Sequence, residues 1–208
     1  MSAIVVSDST TPVSNVIGTS SHEDPFRIGW RNVVRTLPDG TTEGVQIPLT
    51  AEDCLHPQPE DVIVENTLHS RIRTYLDYVL AKHFENDPHV LVLSDTGVYW
   101  DDPALEHHSP DIAVIFDVRE QRERWDSFFV AEQGTRPRLV IEIVSPNTRD
   151  NDVVKKVREY HLARVDYYVI VDFQDNKVRL IGYQSMPSKY VTIPSEKTGR
   201  IWLEPIGL

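Results

Sequence analysis

The sequence predicts an α/β chain, in the α+β sense of a mixed sheet flanked by helices, and three observations carry that reading. Two short, nearly continuous apolar runs, residues 112–116 and 139–144, have the composition of strands buried on both faces. A helical period runs through residues 66–84. A second helical stretch, residues 150–164, separates the second apolar run from another β-rich one at 167–172. Helix, strands, helix, strands in this order suits a sheet with a helix on each side.

Residues 1–24 are rich in Ser, Thr and Val without helical period, so they are expected to be a flexible tail before a single domain over 25–208. Trp30-Arg31-Asn32, the turn signal Pro38-Asp39-Gly40 and Val45-Gln46-Ile47-Pro48 suggest extended chain, and Thr50-Ala51-Glu52-Asp53 opens a brief helix stopped near Pro57. In the long helix Leu68, Ile72, Tyr75, Leu76, Val79, Leu80 and His83 recur at steps of three and four, which predicts that this face packs inward. Residues 90–93 and 98–100 read as strands around Ser94-Asp95-Thr96-Gly97. Ser145-Pro146-Asn147-Thr148 makes a turn, Val153, Val157, Tyr160 and His161 mark one side of the second helix, and Asp175-Asn176 is a hairpin turn between 167–172 and 178–181.

Composition sets limits. With 208 residues, 40% of them hydrophobic, the chain suits one core. No apolar run approaches the ~18 residues that span a bilayer, and the N-terminus lacks the pattern of a secretory leader, so a cytoplasmic location is expected. Cys54 is the only cysteine, which excludes an internal disulfide and leaves oxygen and imidazole as metal ligands. The net charge of −11, from 32 acids and 21 bases, runs against strong nonspecific binding to DNA, although clustered carboxylates that hold divalent cations add to that charge. Phosphate-loop, dinucleotide-fold and nucleophile-elbow motifs are missing from the sequence, which removes the usual nucleotide hydrolase and esterase readings.

The chemistry concentrates on two acids. Asp111 follows Pro110 at the head of one buried run, and Glu142 interrupts another, Val140-Ile141-Glu142-Ile143-Val144. A buried carboxylate without a partner costs several kcal/mol, so Glu142 needs a cation, a metal or a hydrogen-bond donor. Two such acids on adjacent strands offer the hard oxygens that Mg²⁺ or Mn²⁺ prefers. Lys156, on the following helix, is the candidate to position water or offset phosphate charge, while Lys155 points about 100° away around that helix.

These residues also carry a resemblance. Pro110-Asp111, the run from Leu139 through Glu142 to Ser145-Pro146-Asn147-Thr148, then Asp152, Lys156 and Tyr160, and finally Val165-Asp166-Tyr167-Tyr168-Val169-Ile170-Val171-Asp172 resemble the Uma-type family of restriction endonucleases, within the PD-(D/E)XK nuclease superfamily. The pattern is PD, an apolar strand ending E-[IV]-x-S-P-x-T, then D-x-x-x-K-x-x-x-Y, and a closing strand similar to EYWIVD; the resemblance spans residues 60–185. It implies a restriction-endonuclease-like fold, with Asp111 and Glu142 corresponding to the superfamily's acids. Where the superfamily usually has Lys two positions after the Glu, this chain has Val144, and the resemblance implies that Lys156 supplies that charge instead.

The expectation is a Mg²⁺- or Mn²⁺-dependent endonuclease acting on DNA: Asp111 and Glu142 as catalytic acids and metal ligands, and Lys156 as the third catalytic member. A homodimer is expected by analogy, since cutting two antiparallel strands suits a two-fold axis. Arg149 and Arg158 flank the acids and are candidates for substrate phosphates. His69 is either a capping histidine or an accessory site residue. Asp152 and Lys156 also suit a simple (i, i+4) ion pair, Tyr160 suits packing, Asp172 suits a strand end, and His107 and His108 point to opposite sides of an extended segment. The rival reading is a non-catalytic relative that binds a protein or nucleic-acid partner.

Overall fold

The computed structural model describes residues 24–144, 149–174 and 177–208. Residues 1–23 of the tail expected over 1–24, the turn at 145–148 and the hairpin residues 175 and 176 lie outside them. Strands β1 (Gly29–Thr36) and β2 (Thr42–Pro48) form a hairpin, and β3 (Asp61–Ile63) pairs with the other edge of β1. Next come helix α1 (Thr67–His83), β4 (Leu91–Ser94), β5 (Gly97–Tyr99), β6 (Ile112–Ile115), β7 (Ser127–Phe129), the short α2 (Val130–Gln133) and β8 (Pro137–Ile143). A π-helical turn, Asn151–Lys155, runs into α3 (Lys156–Leu162), followed by β9 (Tyr167–Gln174), β10 (Lys177–Met186), β11 (Lys189–Ile193) and a final 3-10 turn.

Six strands form the main sheet in the order β11-β10-β9-β8-β6-β4. Only β8 and β9 are parallel neighbours in it, and the connection between them carries α3, as a parallel pair requires. This is the mixed sheet that the sequence predicts.

Strand alternation divides the buried side chains into two cores, one on each face of the sheet. Leu139, Ile141 and Ile143 of β8 join Ile112 and Val114 of β6 and Leu80 of α1 on one face. Val140 and Val144 join Ala113, Ile115, Tyr160 and Tyr168 on the other, beneath α3. Glu142 has the parity of Val140 and Val144, so the pleat alone aims it toward α3.

Four elements differ from the sequence expectation. Residues 50–57 form turns instead of a helix, held by Asp53, which accepts from the Thr50 backbone N–H and hydroxyl at 2.8 and 2.5 Å. Strand β5 leaves the main sheet and pairs in parallel with β7, after a corner at Asp95 whose φ is 50°. In α1 the inward stripe is Ile72, Leu76 and Leu80, while Leu68, Tyr75 and Val79 stay exposed. The helical period was broad enough for two adjacent stripes, and the short strands β4 and β6 cover only one. Finally, the second helix opens as a π turn, in which the Lys156 N–H donates to Asn151 O. Among the described residues no helix is long and apolar enough to cross a membrane.

Candidate active site

The two acids meet because of the β6–β8 register. Ala113 lies opposite Val140 and Ile112 opposite Ile141, so one further step sets Asp111 across from Glu142. Asp111 Oδ2 accepts the backbone N–H of Ile143 at 2.8 Å, which locks its carboxylate over the neighbouring strand. Both side chains are nearly closed to solvent except where they line a cleft of about 470 Å³.

Lys156 enters from α3. Its Nζ lies 3.0 Å from Glu142 Oε1 and 3.1 Å from Asp152 Oδ1. The same Glu142 oxygen accepts the Tyr160 hydroxyl at 2.6 Å, so both protein donors crowd onto Oε1. The π turn is anchored from two sides: Tyr168 Oη donates to Asp152 O at 2.8 Å, and the Asn151 amide donates to Ala51 O. Lys155 turns away and pairs with Glu52. Such π turns recur at functional sites because the extra residue re-aims the side chains on the turn.

Helix α1 supplies the opposite wall. Asn66 caps it by accepting the backbone N–H groups of Leu68 and His69 at 3.1 and 2.9 Å, which fixes the first turn. His69 Nε2 then lies 2.7 Å from Asp111 Oδ1 and 3.6 Å from Glu65 Oε1. Arg73, one turn on, holds Glu65 Oε2 at 3.0 Å and Asp95 Oδ2 at 2.6 Å. Glu65, just before the cap, and His69 and Arg73 on one side of α1 thus all face the cleft.

The electrostatics follow from this crowding. Burial pushes Glu142 up to about 8, although Lys156 pulls it down, and the nearby Asp111 and Asp152 carboxylates add to the rise. Burial likewise raises Asp152 against the pull of Lys156. For Asp111 burial also works upward, but the His69 bond, the Ile143 N–H and Lys156 outweigh it and the pKa falls. Burial opposes the charge on Lys156, yet Glu142, Asp152 and Asp111 together win, so it stays an ammonium. His69 moves up for the same reason: Asp111 and Glu65 outweigh its burial. The donor set is oxygen-rich, excess in negative charge and incompletely neutralised by Lys156, which fits a divalent cation.

Asp111, Glu142, Lys156 and His69 therefore converge. Arg149 and Arg158 do not line the cleft. Arg149 reaches Asp172 Oδ2 of β9 at 2.8 Å, and Arg158 sits on the exposed side of α3. Tyr160 does more than pack, since it bonds Glu142, and Asp172 is buried as the partner of Arg149. His107 bonds Pro57 O and stacks on Tyr99, whereas His108 is fully buried between Trp100 and Glu159. Sequence reasoning missed Glu65, Arg73 and Asp95. The acid–His–Arg spacing of four, running from just before the α1 cap into the helix, was the available signal for the first two.

Comparison with known proteins bears on the family and the fold. The family model Uma2, described as "Putative restriction endonuclease", matches residues 59–206. No curated protein matches the chain. A solved structure from Anabaena variabilis, described as "a putative nuclease belonging to DUF820", is 14% identical over 73% of this chain and 92% of that chain, with a TM-score of 0.51. At that identity the likeness bears on the fold, which is the nuclease-like one the sequence predicts.

Proposed function

This chain belongs to the Uma2 family, described as "Putative restriction endonuclease", and from that premise we propose that it is an endonuclease hydrolysing DNA phosphodiester bonds with Mg²⁺ or Mn²⁺. Asp111 and Glu142 are the proposed ligands and Lys156 the third catalytic member. The observation that carries the reading is the arrangement of the two carboxylates. Asp111 is held at Oδ2 by Ile143 N–H and at Oδ1 by His69, Glu142 is held at Oε1 by Tyr160 and Lys156, and both side chains line the cleft. Outer donors of this kind orient a ligand before the cation arrives.

A divalent cation held there supplies Lewis acidity, activating water and offsetting charge on the phosphate. The chain's own residues do the rest. Lys156 remains charged, so its task is to orient the attacking water and stabilise the phosphate oxygens by donating, rather than to remove a proton. Tyr160, sealed in the core, keeps Glu142 from rotating away from the cleft. The sequence-level objection that Val144 replaces the usual lysine loses force because Lys156 reaches the same carboxylate from α3. Homodimerisation belongs to this proposal as the simplest way to cut both strands.

The test is cleavage of a duplex DNA panel with Mg²⁺ or Mn²⁺ by wild type, Asp111→Asn and Glu142→Gln. The expected result is a loss of about 10²–10³-fold or more in both variants with melting temperature retained. Cleavage by both variants at the wild-type rate overturns the mechanism.

A further inference from the structure

We propose that Glu65, His69 and Asp111 form a nitrogen-containing divalent-cation position in the cleft, which takes Mn²⁺ in preference to Mg²⁺. This rests on the reading of the cleft as a metal site and goes further by adding two ligands, Glu65 from just before the α1 cap and His69 from α1, and a metal preference.

The geometry comes first. One ligand atom from each of the three side chains lies within 4.8 Å of the others, with His69 Nε2 at 2.7 Å from Asp111 Oδ1 and 3.6 Å from Glu65 Oε1. Neighbouring ligands on a six-coordinate dication stand about 3 Å apart, given bonds of about 2.1 Å at right angles. The two His69 separations bracket that value and the Glu65–Asp111 pair lies within 4.8 Å, so side-chain movements bring the three atoms onto one cation.

The surrounding bonds orient each ligand. Arg73 engages Glu65 at Oε2, which leaves Oε1 turned toward His69. Ile143 N–H engages Asp111 at Oδ2, which leaves Oδ1 turned toward His69. His69 sits on the first turn of a helix that Asn66 caps, so its backbone is fixed. Arg73 is itself held by Asp95 at the β4–β5 corner. These contacts make a supported ligand set out of what would otherwise be an exchangeable ion pair.

The metal preference follows from the imidazole. Mg²⁺ favours oxygen and gives up water reluctantly, whereas Mn²⁺ and the later dications accept imidazole readily. A site built only on Asp111 and Glu142 offers no such discrimination. Asp111 would be common to both groups, so His69 tunes the metal without replacing Glu142.

The experiment is Mn²⁺ and Mg²⁺ binding by calorimetry on the full chain, together with electron-spin-echo spectroscopy of bound Mn²⁺, for wild type, His69→Asn and Glu142→Gln. Wild type is expected to bind Mn²⁺ about tenfold or more tighter than Mg²⁺ and to show nitrogen coupling from His69. His69→Asn is expected to lose the coupling and most of the preference. Mn²⁺ bound by wild type without nitrogen coupling, with affinity still lowered in Glu142→Gln, overturns this inference and leaves the proposed function standing. Wild type that binds neither cation overturns both. Should His69→Asn not fold, the wild-type spectrum decides alone.

Discussion

Among the described residues, two histidine–carboxylate groups are each compact enough for three donor atoms to meet one cation: Glu65, His69 and Asp111 in the cleft, and His56, His108 and Glu159 beside α3. Their distances are alike, and their hydrogen bonding is not. Trp100 Nε1–H, which can only donate, lies 2.8 Å from His108 Nδ1, so that nitrogen must accept. A neutral imidazole has one hydrogen, so Nε2 carries it and donates to Glu159 Oε2 at 2.7 Å. Burial lowers the His108 pKa by more than Glu159 raises it, which keeps the ring neutral. Both nitrogens are committed, and a metal at Nε2 would require an imidazolate. His69 instead is pulled toward the protonated state, and a metal can exchange with the proton on its Nε2. Hydrogen-bond valence separates a structural histidine cluster from a ligand set, where spacing does not.

The largest expected effect that sharpens this contrast comes from Lys156→Met. Removing the cation between Glu142 and Asp152 leaves buried carboxylates uncompensated, and the loss of stability is about 3–5 kcal/mol near pH 9 in metal-free protein. The sign with pH is specific. Glu142 is raised from 4.5 to about 8, so its contribution to stability is full below about 4.5 and declines as pH rises toward 8. The penalty of the variant therefore shrinks at pH 6, where Glu142 carries its own proton, and saturating Mn²⁺ is expected to restore part of it. Chemical denaturation at the two pH values checks this, and a pH-independent loss unaffected by Mn²⁺ contradicts it.

A smaller effect is expected from Trp100→Phe, which removes the donor to His108 and costs about 1–3 kcal/mol at pH 7.5. Because the His108 pKa is depressed, its contribution to stability is present above about 6.5 and is lost as pH falls. Without the Trp100 donor Nδ1 can hold a hydrogen, so the acid-sensitive share of stability shrinks and Nε2 becomes able to ligate. A second, weaker Zn²⁺-binding event that appears only in the variant would support the valence argument. The same event in wild type would break the comparison.

Much of this architecture is legible in the sequence because burial on both faces leaves a plain mark. Strands β6, β8 and β9 are apolar nearly throughout, and the one acid inside β8 stands out as an energetic anomaly that demands a partner. The PD and D-x-x-x-K-x-x-x-Y spacings name residues that the structure brings together. Other features left little mark. The sheet β1-β2-β3 is exposed on much of both faces, so its residues follow no clean alternation. The departure of β5 depends on a left-handed Asp95, a conformation that side chains seldom announce. The π turn that aims Asp152 and Lys156 is a backbone event set by anchors distant in sequence, Tyr168 and Ala51. Arg149 and Arg158 stand near the acids in sequence but outside the cleft lining, one facing Asp172 and the other solvent.

Asp111 touches both proposed ligand groups, so it offers the most direct test of the account. Mn²⁺ titrated calorimetrically into wild type and Asp111→Asn, at matched pH and salt, is predicted to bind wild type and to lose about a hundredfold or more in affinity in the variant. Equal affinity in the two proteins, or no binding by wild type, would contradict the reading of this cleft as a metal-dependent active site.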